Sequence, residues 1–306
     1  MAEMKATWAH RSWNPWMGCD KVAAGCAHCY IHRNMALADK QPWGAIYRTH
    51  RCWEDPLKWQ AKAREDGVCD RIFSCSMSDF FHAKADEWRE AAWEIIRSTP
   101  NLVYVLFTKR PSRILRCLPE DWGEGYPNVW LVTSISCKRD LVNVDVLRKV
   151  PIHPKAVRGL SIEPLLEDIA DELDLTGIGW VAVGGESGDG REYNWGPRFD
   201  WKAELKQTSG RRLMRLEWAA RIRDKVKAAG IPFHFKQVTS EYPATGMNAL
   251  GRIWDEVPEP PLPLPWRKQP PLKPCHLWSE WELKNLDVYG RPRKYTPRKW
   301  TPRWTR

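Results

Sequence analysis

Three cysteines near the amino terminus carry the strongest chemical signal in the chain. Cys19, Cys26 and Cys29 are spaced C-x6-C-x2-C within eleven residues. Three thiolates at this density suit three irons of a [4Fe–4S] cluster, and they leave the fourth iron open to a small molecule. We therefore predict a catalytic cluster at these cysteines. The alternative is a structural zinc ion, for which His28 or His32 can supply the fourth ligand.

Length and composition bound the class of protein. The chain has 306 residues, enough for one large α/β domain and an appendage. It contains no apolar run of the roughly 20 residues that cross a bilayer, and its first residues lack the apolar core of a signal peptide. We expect no membrane partner and a cytoplasmic location. Nine cysteines in a reducing compartment favour metal binding or catalysis over disulfides.

The carboxyl-terminal segment is basic and rich in aromatic residues. Residues 265–306 hold 11 Lys or Arg against 3 Asp or Glu, which is most of the formal charge of +10. Basic side chains bind phosphates and interleaved aromatic rings stack on bases, so we predict contacts with nucleic acid by Arg298, Lys299 and Trp300. The alternative is a tail whose Trp rings pack on the domain while its charges stay solvated.

The order of apolar segments predicts the fold. Six runs rich in β-forming residues alternate with candidate helices, a pattern typical of a parallel sheet covered by crossover helices. With the amino-terminal segment as a further strand, we expect a partial or complete (β/α) TIM-like barrel of about six to seven parallel strands, over residues 1–250. A doubly wound open sheet is the alternative. Residues 251–306 are predicted to form a Pro-rich, basic extension. The strand runs are 71–77, 102–108, 128–136, 156–163, 180–187 and 232–238, and the predicted helices are 30–39, 85–97, 112–118, 138–149 and 212–229.

Polar side chains gather where these runs end. In parallel α/β folds the carboxyl ends of the strands build the active site, so we expect one shared mouth. Lys109 and Arg110 are suited to a carboxylate or phosphate, or else form a solvated loop pair. Glu163 and Lys236 are further candidates for substrate contact. The polar strand-end residues are Ser76, Ser78, Asp79, Ser134, Ser136, Glu163 and Lys236.

A glycine pair after one predicted strand indicates a small-molecule site. Gly184 and Gly185 let a backbone approach a ligand closely, and Glu186 can pair with an ammonium or hydroxyl group. A structural turn is the alternative explanation of the same residues. We predict that these three residues contact a cofactor.

Several motifs together resemble one known family. They are WNPWMGCDKVAAGCAHCY (13–30), SMSDFFH (76–82), FTKRP (107–111), LSIEPLL (160–166), VGGESG (183–188) and IPFHFKQ (231–237). In this order they resemble a phage-associated three-cysteine family of the radical S-adenosylmethionine (SAM) superfamily, over about residues 8–238. The chain departs from the usual C-x3-C-x2-C spacing of the superfamily by a longer first interval.

The resemblance implies a mechanism, two cofactors and partners. The cofactors are a [4Fe–4S] cluster and SAM, which an electron from the reduced cluster cleaves to a 5′-deoxyadenosyl radical. Residues at positions 76, 78, 79, 134 and 136 are expected to hold SAM. An electron donor is needed, and the substrate is nucleic-acid-linked, such as an amino-acid adduct of hypermodified thymine in phage DNA that an isomerase rearranges. Alternatives are a zinc-stabilised, non-enzymatic nucleic-acid-binding protein and a radical SAM enzyme that acts on a small metabolite.

Overall fold

A curled sheet of seven parallel strands forms a half-barrel. The computed structural model describes residues 7–31, 45–188, 210–242, 244–269 and 277–290. In sheet order the strands are β1 (Arg11–Trp13), β4 (Asp70–Ser74), β5 (Leu102–Thr108), β6 (Val129–Ser134), β7 (Arg158–Ile162), β8 (Trp180–Gly184) and β9 (Phe233–Gln237), while β2 (Trp16–Met17) and β3 (Tyr47–Arg48) form a separate pair. Successive strands of the sheet therefore lie side by side, as in a TIM-like barrel. The expected partial barrel is thus confirmed, and the doubly wound alternative is wrong, because its strand order would reverse within the sheet.

The strands are buried on both faces, which explains their continuous apolar runs. In β5, Val103 and Val105 face the concave side, where the aromatic cluster lies. Leu102, Tyr104 and Leu106 face the convex side and pack under the helices. The period of two along the strand therefore divides one hydrophobic run between two cores.

Helices cover the convex face. Within the described residues they are α1 (Asp55–Glu65), α2 (Asp86–Ser98), α3 (Val142–Arg148), α4 (Leu216–Ala228) and α5 (Glu280–Lys284). In α2 the buried residues Arg89, Ala92, Trp93 and Ile96 recur at helical spacing, as the sequence indicates.

Three predicted helices differ from the structure and two helices were missed. The predicted helix at 138–149 is a 3-10 turn over Lys138–Leu141 followed by α3. Residues 112–118 form two short 3-10 turns, because Pro119 ends a segment too short to sustain an α-helix. The predicted helix at 212–229 begins only at Leu216, since Arg212 and Met214 lie in extended chain and bond elsewhere. Helices α1 and α5 were not predicted, and most of the predicted helix at 30–39 lies outside the described residues.

Tryptophan fills the concave side of the half-barrel. The ring of Trp8 lies 4.9 Å from that of Phe107 and 5.7 Å from that of Trp180. Trp130 stands beside Trp180 at 6.2 Å. The high Trp content of the chain therefore has a packing explanation here, since large rings fill the wide space inside an open barrel.

The Pro-rich segment lies along the amino ends of the strands. Asp255 pairs with His234 near the start of β9, and Trp266 pairs with Cys69 just before β4. Trp266 also packs against Trp130, with ring centroids 5.8 Å apart. Two small strands, β2 (Trp16–Met17) and β3 (Tyr47–Arg48), pair antiparallel outside the main sheet. Within the described residues, no helix has the length and apolar character needed to cross a membrane.

Candidate active site at the carboxyl ends of the strands

One open cavity lies at the carboxyl ends of the sheet strands, with about 840 Å³ of empty space including its open mouth. Cys19, Cys26 and Cys29 all line it. Trp8, Phe73 and Phe107 form its apolar floor, continuous with the aromatic cluster inside the barrel. The sequence-predicted residues that line the same cavity are Ser76, Ser78, Asp79, Lys109, Arg110, Ser134, Glu163 and Lys236.

Local backbone geometry positions the cysteine loop. Gly18 has φ +98, and a Cβ there would lie 2.1 Å from the carbonyl oxygen of Ala45, so only glycine fits. A 3-10 turn, Ala24–Cys26, then brings Cys26 inwards. Gly25 lies against Ser136, where a Cβ would stand 2.3 Å from the hydroxyl oxygen. The glycines that precede Cys19 and Cys26 thus let the loop pack closely on the strand ends.

Burial favours the protonated form of two of the motif thiols, those of Cys29 and Cys19. It raises the pKa of Cys29 to about 11, and the neighbouring Cys26 adds to the shift. Burial likewise raises the pKa of Cys19, although the positive charge of Arg110 opposes it. Buried thiolates therefore need a cation in place of the proton, which is what a bound metal centre supplies.

The three thiols that line the cavity are of a donor type that both iron–sulfur clusters and zinc bind. Within the described part of the chain, no three His, Cys, Asp or Glu side chains converge so as to hold a single metal ion. Tetrahedral zinc would need ligand sulfurs about 3.8 Å apart, given Zn–S bonds of about 2.3 Å. A cluster distributes its thiolates over several irons and so tolerates wider spacing. His28, one candidate zinc ligand, bonds Glu186, and His32 lies outside the described residues.

Asp79 organises the turn after β5. Its carboxylate accepts hydrogen bonds from the Thr108 hydroxyl at 2.8 Å and from the Lys109 backbone N–H at 3.0 Å. It also accepts one from Arg110 Nη1 at 3.3 Å. This carboxylate, expected to hold SAM, is thus occupied in orienting two cations towards the cysteines.

Lys109 and Lys236 place positive charge around the cavity. Burial lowers the pKa of Lys109, but the neighbouring acidic groups of Cys26, Cys29, Asp79 and Glu163 together outweigh burial and raise that pKa. On the β7 and β9 side, Lys236 Nζ pairs with Glu163 Oε2 at 2.6 Å. The cavity therefore has one polar region beside the thiols and a second, formed by the Glu163–Lys236 pair.

Glu186 belongs to a buried network that ties the cysteine loop to β8. Its carboxylate accepts from His28 Nδ1 at 2.8 Å, from the Arg212 backbone N–H at 2.8 Å and from Arg212 Nε at 3.0 Å. Arg212 Nη1 donates onwards to the carbonyl oxygen of Ala24 at 2.8 Å. Burial alone would raise the pKa of Glu186, but the hydrogen bond from His28 and the charge of Arg212 lower it.

Four predicted cofactor residues lie outside the cavity lining. Ser136 is buried under the cysteine loop, and its hydroxyl has no hydrogen-bond partner among the described residues. Gly184 ends β8 beside Glu163, and Gly185 packs on Thr239, where a Cβ would lie 2.3 Å from the backbone nitrogen. Glu186, the fourth, bonds His28 and Arg212 as described. The predicted nucleic-acid contacts Arg298, Lys299 and Trp300 lie outside the described residues.

Several cavity residues were missed by sequence reasoning. Tyr30 lines the cavity and donates its hydroxyl to the carbonyl oxygen of Ser76. Asp20 holds Arg110 and accepts from His82 Nε2, a hydrogen bond that lowers the pKa of Asp20 to about 2. Tyr30 and Asp20 directly follow motif cysteines, and this adjacency was the available signal. Arg212 gave no signal, because its link to the loop is tertiary.

The fold and the cavity define an α/β half-barrel protein with a three-cysteine site at the carboxyl ends of its strands. Residues 3–210 match the family described as "Protein of unknown function (DUF5131)", which covers more than half of the chain. The chain therefore belongs to this family. No curated protein matches the sequence.

Proposed function

We propose that the protein is a radical SAM enzyme whose [4Fe–4S] cluster is bound by Cys19, Cys26 and Cys29. The observation that supports this most is the position of the three thiols, which line one cavity at the carboxyl ends of a parallel half-barrel. Such ends are where α/β barrels build their active sites. Three thiolates also leave a fourth iron open for SAM.

The residues around the thiols suit this chemistry. When bound, the cluster supplies the electron that cleaves SAM to methionine and a 5′-deoxyadenosyl radical. Trp8, Phe73 and Phe107 provide an apolar floor that excludes water from a reactive species. Lys109 is available for a carboxylate or phosphate, and the serines at 76, 78 and 134 provide hydroxyl groups for a ribose or carboxylate.

The proposed substrate is linked to nucleic acid. The net charge of +10, concentrated after residue 265, supports a polyanionic partner. We propose a modified thymine in phage DNA that carries an amino-acid adduct, and a radical rearrangement of that adduct. An electron donor must reduce the cluster, and the reaction would take place in the cytoplasm of the host.

Cluster binding is tested by anaerobic reconstitution of the full chain with iron and sulfide. We expect a brown protein with four irons per chain and a charge-transfer band, and loss of both in Cys29→Ala. Cys117→Ala is the matched control, because Cys117 is buried in the outer core away from the cavity. A colourless protein that binds zinc stoichiometrically would contradict the proposal and favour the zinc alternative.

The substrate is tested with the reduced protein, SAM and phage-type modified DNA. We expect 5′-deoxyadenosine and an altered nucleoside, both detected by mass spectrometry. A variant with Ala at positions 298, 299 and 300 should bind DNA more weakly, with a smaller dependence on salt. Turnover of free nucleotides by both proteins, with equal affinity for DNA, would instead favour a small-metabolite substrate.

A further inference from the structure

The side chain of Arg110 reaches the sulfur of a proposed cluster ligand. Its Nη1 donates to Cys19 Sγ at 3.6 Å, and the side chain is only 9 % exposed. Contacts of this kind between a charged donor and a ligand sulfur form part of the surroundings that tune a metal centre. No sequence motif predicts this contact, because the two residues are 91 positions apart.

Arg110 is fixed in this position from several sides. Nη1 also donates to Asp79 Oδ2 at 3.3 Å, and Nη2 donates to the Asp20 carbonyl oxygen at 3.1 Å and to the Asp20 carboxylate. Asp20 is held in turn by His82 Nε2 at 3.1 Å. His82 Nδ1 accepts a hydrogen bond from the Lys84 backbone N–H. Its Nε2 therefore carries the hydrogen and donates a hydrogen bond to the Asp20 carboxylate.

The contacts of Arg110 give it a different role from its neighbour Lys109, although the sequence suggests the same role for both. Lys109 and Arg110 both follow β5, and both were candidates to bind an anionic ligand. The Arg110 guanidinium is engaged by Asp79, Asp20 and Cys19 and so is committed to the cysteine loop. Ligand binding is left to Lys109, which lines the cavity beside Cys26 and Cys29.

A hydrogen bond or positive charge at a ligand sulfur has a defined effect on a cluster. Reduction adds one negative charge, and a nearby cation or N–H donor stabilises this more negative form. The reduction potential therefore rises when such a donor is present and falls when it is removed. Low solvent exposure strengthens the effect, because little water screens the charge.

We propose that Arg110 is a positioning residue that raises the reduction potential of the cluster through its hydrogen bond to Cys19. The inference rests on the proposed function, since it requires a cluster at the three cysteines. Its consequence is that Arg110 determines how strong an electron donor the protein needs.

The experiment compares midpoint potentials of reconstituted full-length variants by redox titration monitored with electron paramagnetic resonance, using dithionite as reductant. For Arg110→Met we expect about a tenfold smaller equilibrium constant for reduction, a fall of about 59 mV for a one-electron couple. Arg110→Lys keeps the charge without the planar fork and should show a smaller fall. Arg113→Met is the matched control, because Arg113 also donates to a cysteine sulfur, that of Cys117 at 3.7 Å, outside the cavity.

The outcomes distinguish this inference from the proposed function. If the unmodified protein takes up no cluster, the proposed function fails and the inference fails with it. If it takes up a cluster and Arg110→Met changes the equilibrium constant less than twofold, the inference alone is wrong. A lower cluster content with an unchanged potential in the loaded fraction would show a purely structural contribution and would also overturn it. If Arg110→Met does not fold, the potential of Arg110→Lys decides.

Discussion

Replacing Arg212 by Met removes the guanidinium that joins the cysteine loop to the end of β8. The side chains of Arg212 and Glu186 are 2 % and 4 % exposed, so the variant leaves a buried carboxylate without its main cation. Removal of one partner of a buried ion pair costs about 3–5 kcal/mol. His28 and the backbone N–H of residue 212 still bond Glu186, so we expect a loss of about 3 kcal/mol, at the lower end of that range.

Urea unfolding of the protein without a cluster measures this loss. With an m-value of about 3 kcal/mol/M, the midpoint should fall by about 1 M. Arg221→Met is the matched control: Arg221 pairs with Asp168 and Asp171 but is 39 % exposed, so water screens these pairs and their loss should lower the midpoint much less than the loss of Arg212. Arg212→Met should also speed alkylation of the buried Cys26 thiol, because the loop loses its bond at Ala24.

A double variant identifies the cause of the loss. Glu186→Gln combined with Arg212→Met removes the uncompensated charge, so it should be more stable than Arg212→Met alone. If Arg212→Met costs no more than Arg221→Met, the buried network does not hold the loop, and the reasoning is refuted. Equal destabilisation by the single and the double variant would show that the loss comes from packing instead of charge.

Two further predictions concern the packing of Gly25 in the cysteine loop and the buried side chain of His234. Gly25→Ala places a Cβ 2.3 Å from Ser136 Oγ, so this variant should load less cluster, measured as iron content. Adding Ser136→Ala should partly restore the iron content. An unchanged iron content in Gly25→Ala would refute the close packing. Burial lowers the pKa of His234 to about 4, so only the unfolded chain takes up this proton between pH 6.5 and 4. Stability should therefore fall by about 3 kcal/mol as pH drops through that window, and His234→Gln should reduce this slope in urea unfolding at several pH values.

The amino-acid sequence by itself determined the strands and the position of the site along the chain. Buried parallel strands need continuous apolar runs, so β5 and β6 could be found from composition alone. The polar residues at their ends follow from the same pattern, because chain direction fixes which end of a strand faces the mouth. The spacing of Cys19, Cys26 and Cys29 was by itself enough to predict that these three residues share one site.

The tertiary structure decided what each polar residue contacts. Glu186 looked like a ligand contact, but Arg212, 26 residues further along, and His28, 158 residues earlier, engage it instead. Arg110 looked equivalent to Lys109, yet Asp20 and Asp79 turn it towards Cys19. Hydrogen bonds depend on distances of a few tenths of an ångström between side chains remote in sequence, and local patterns carry no information about them.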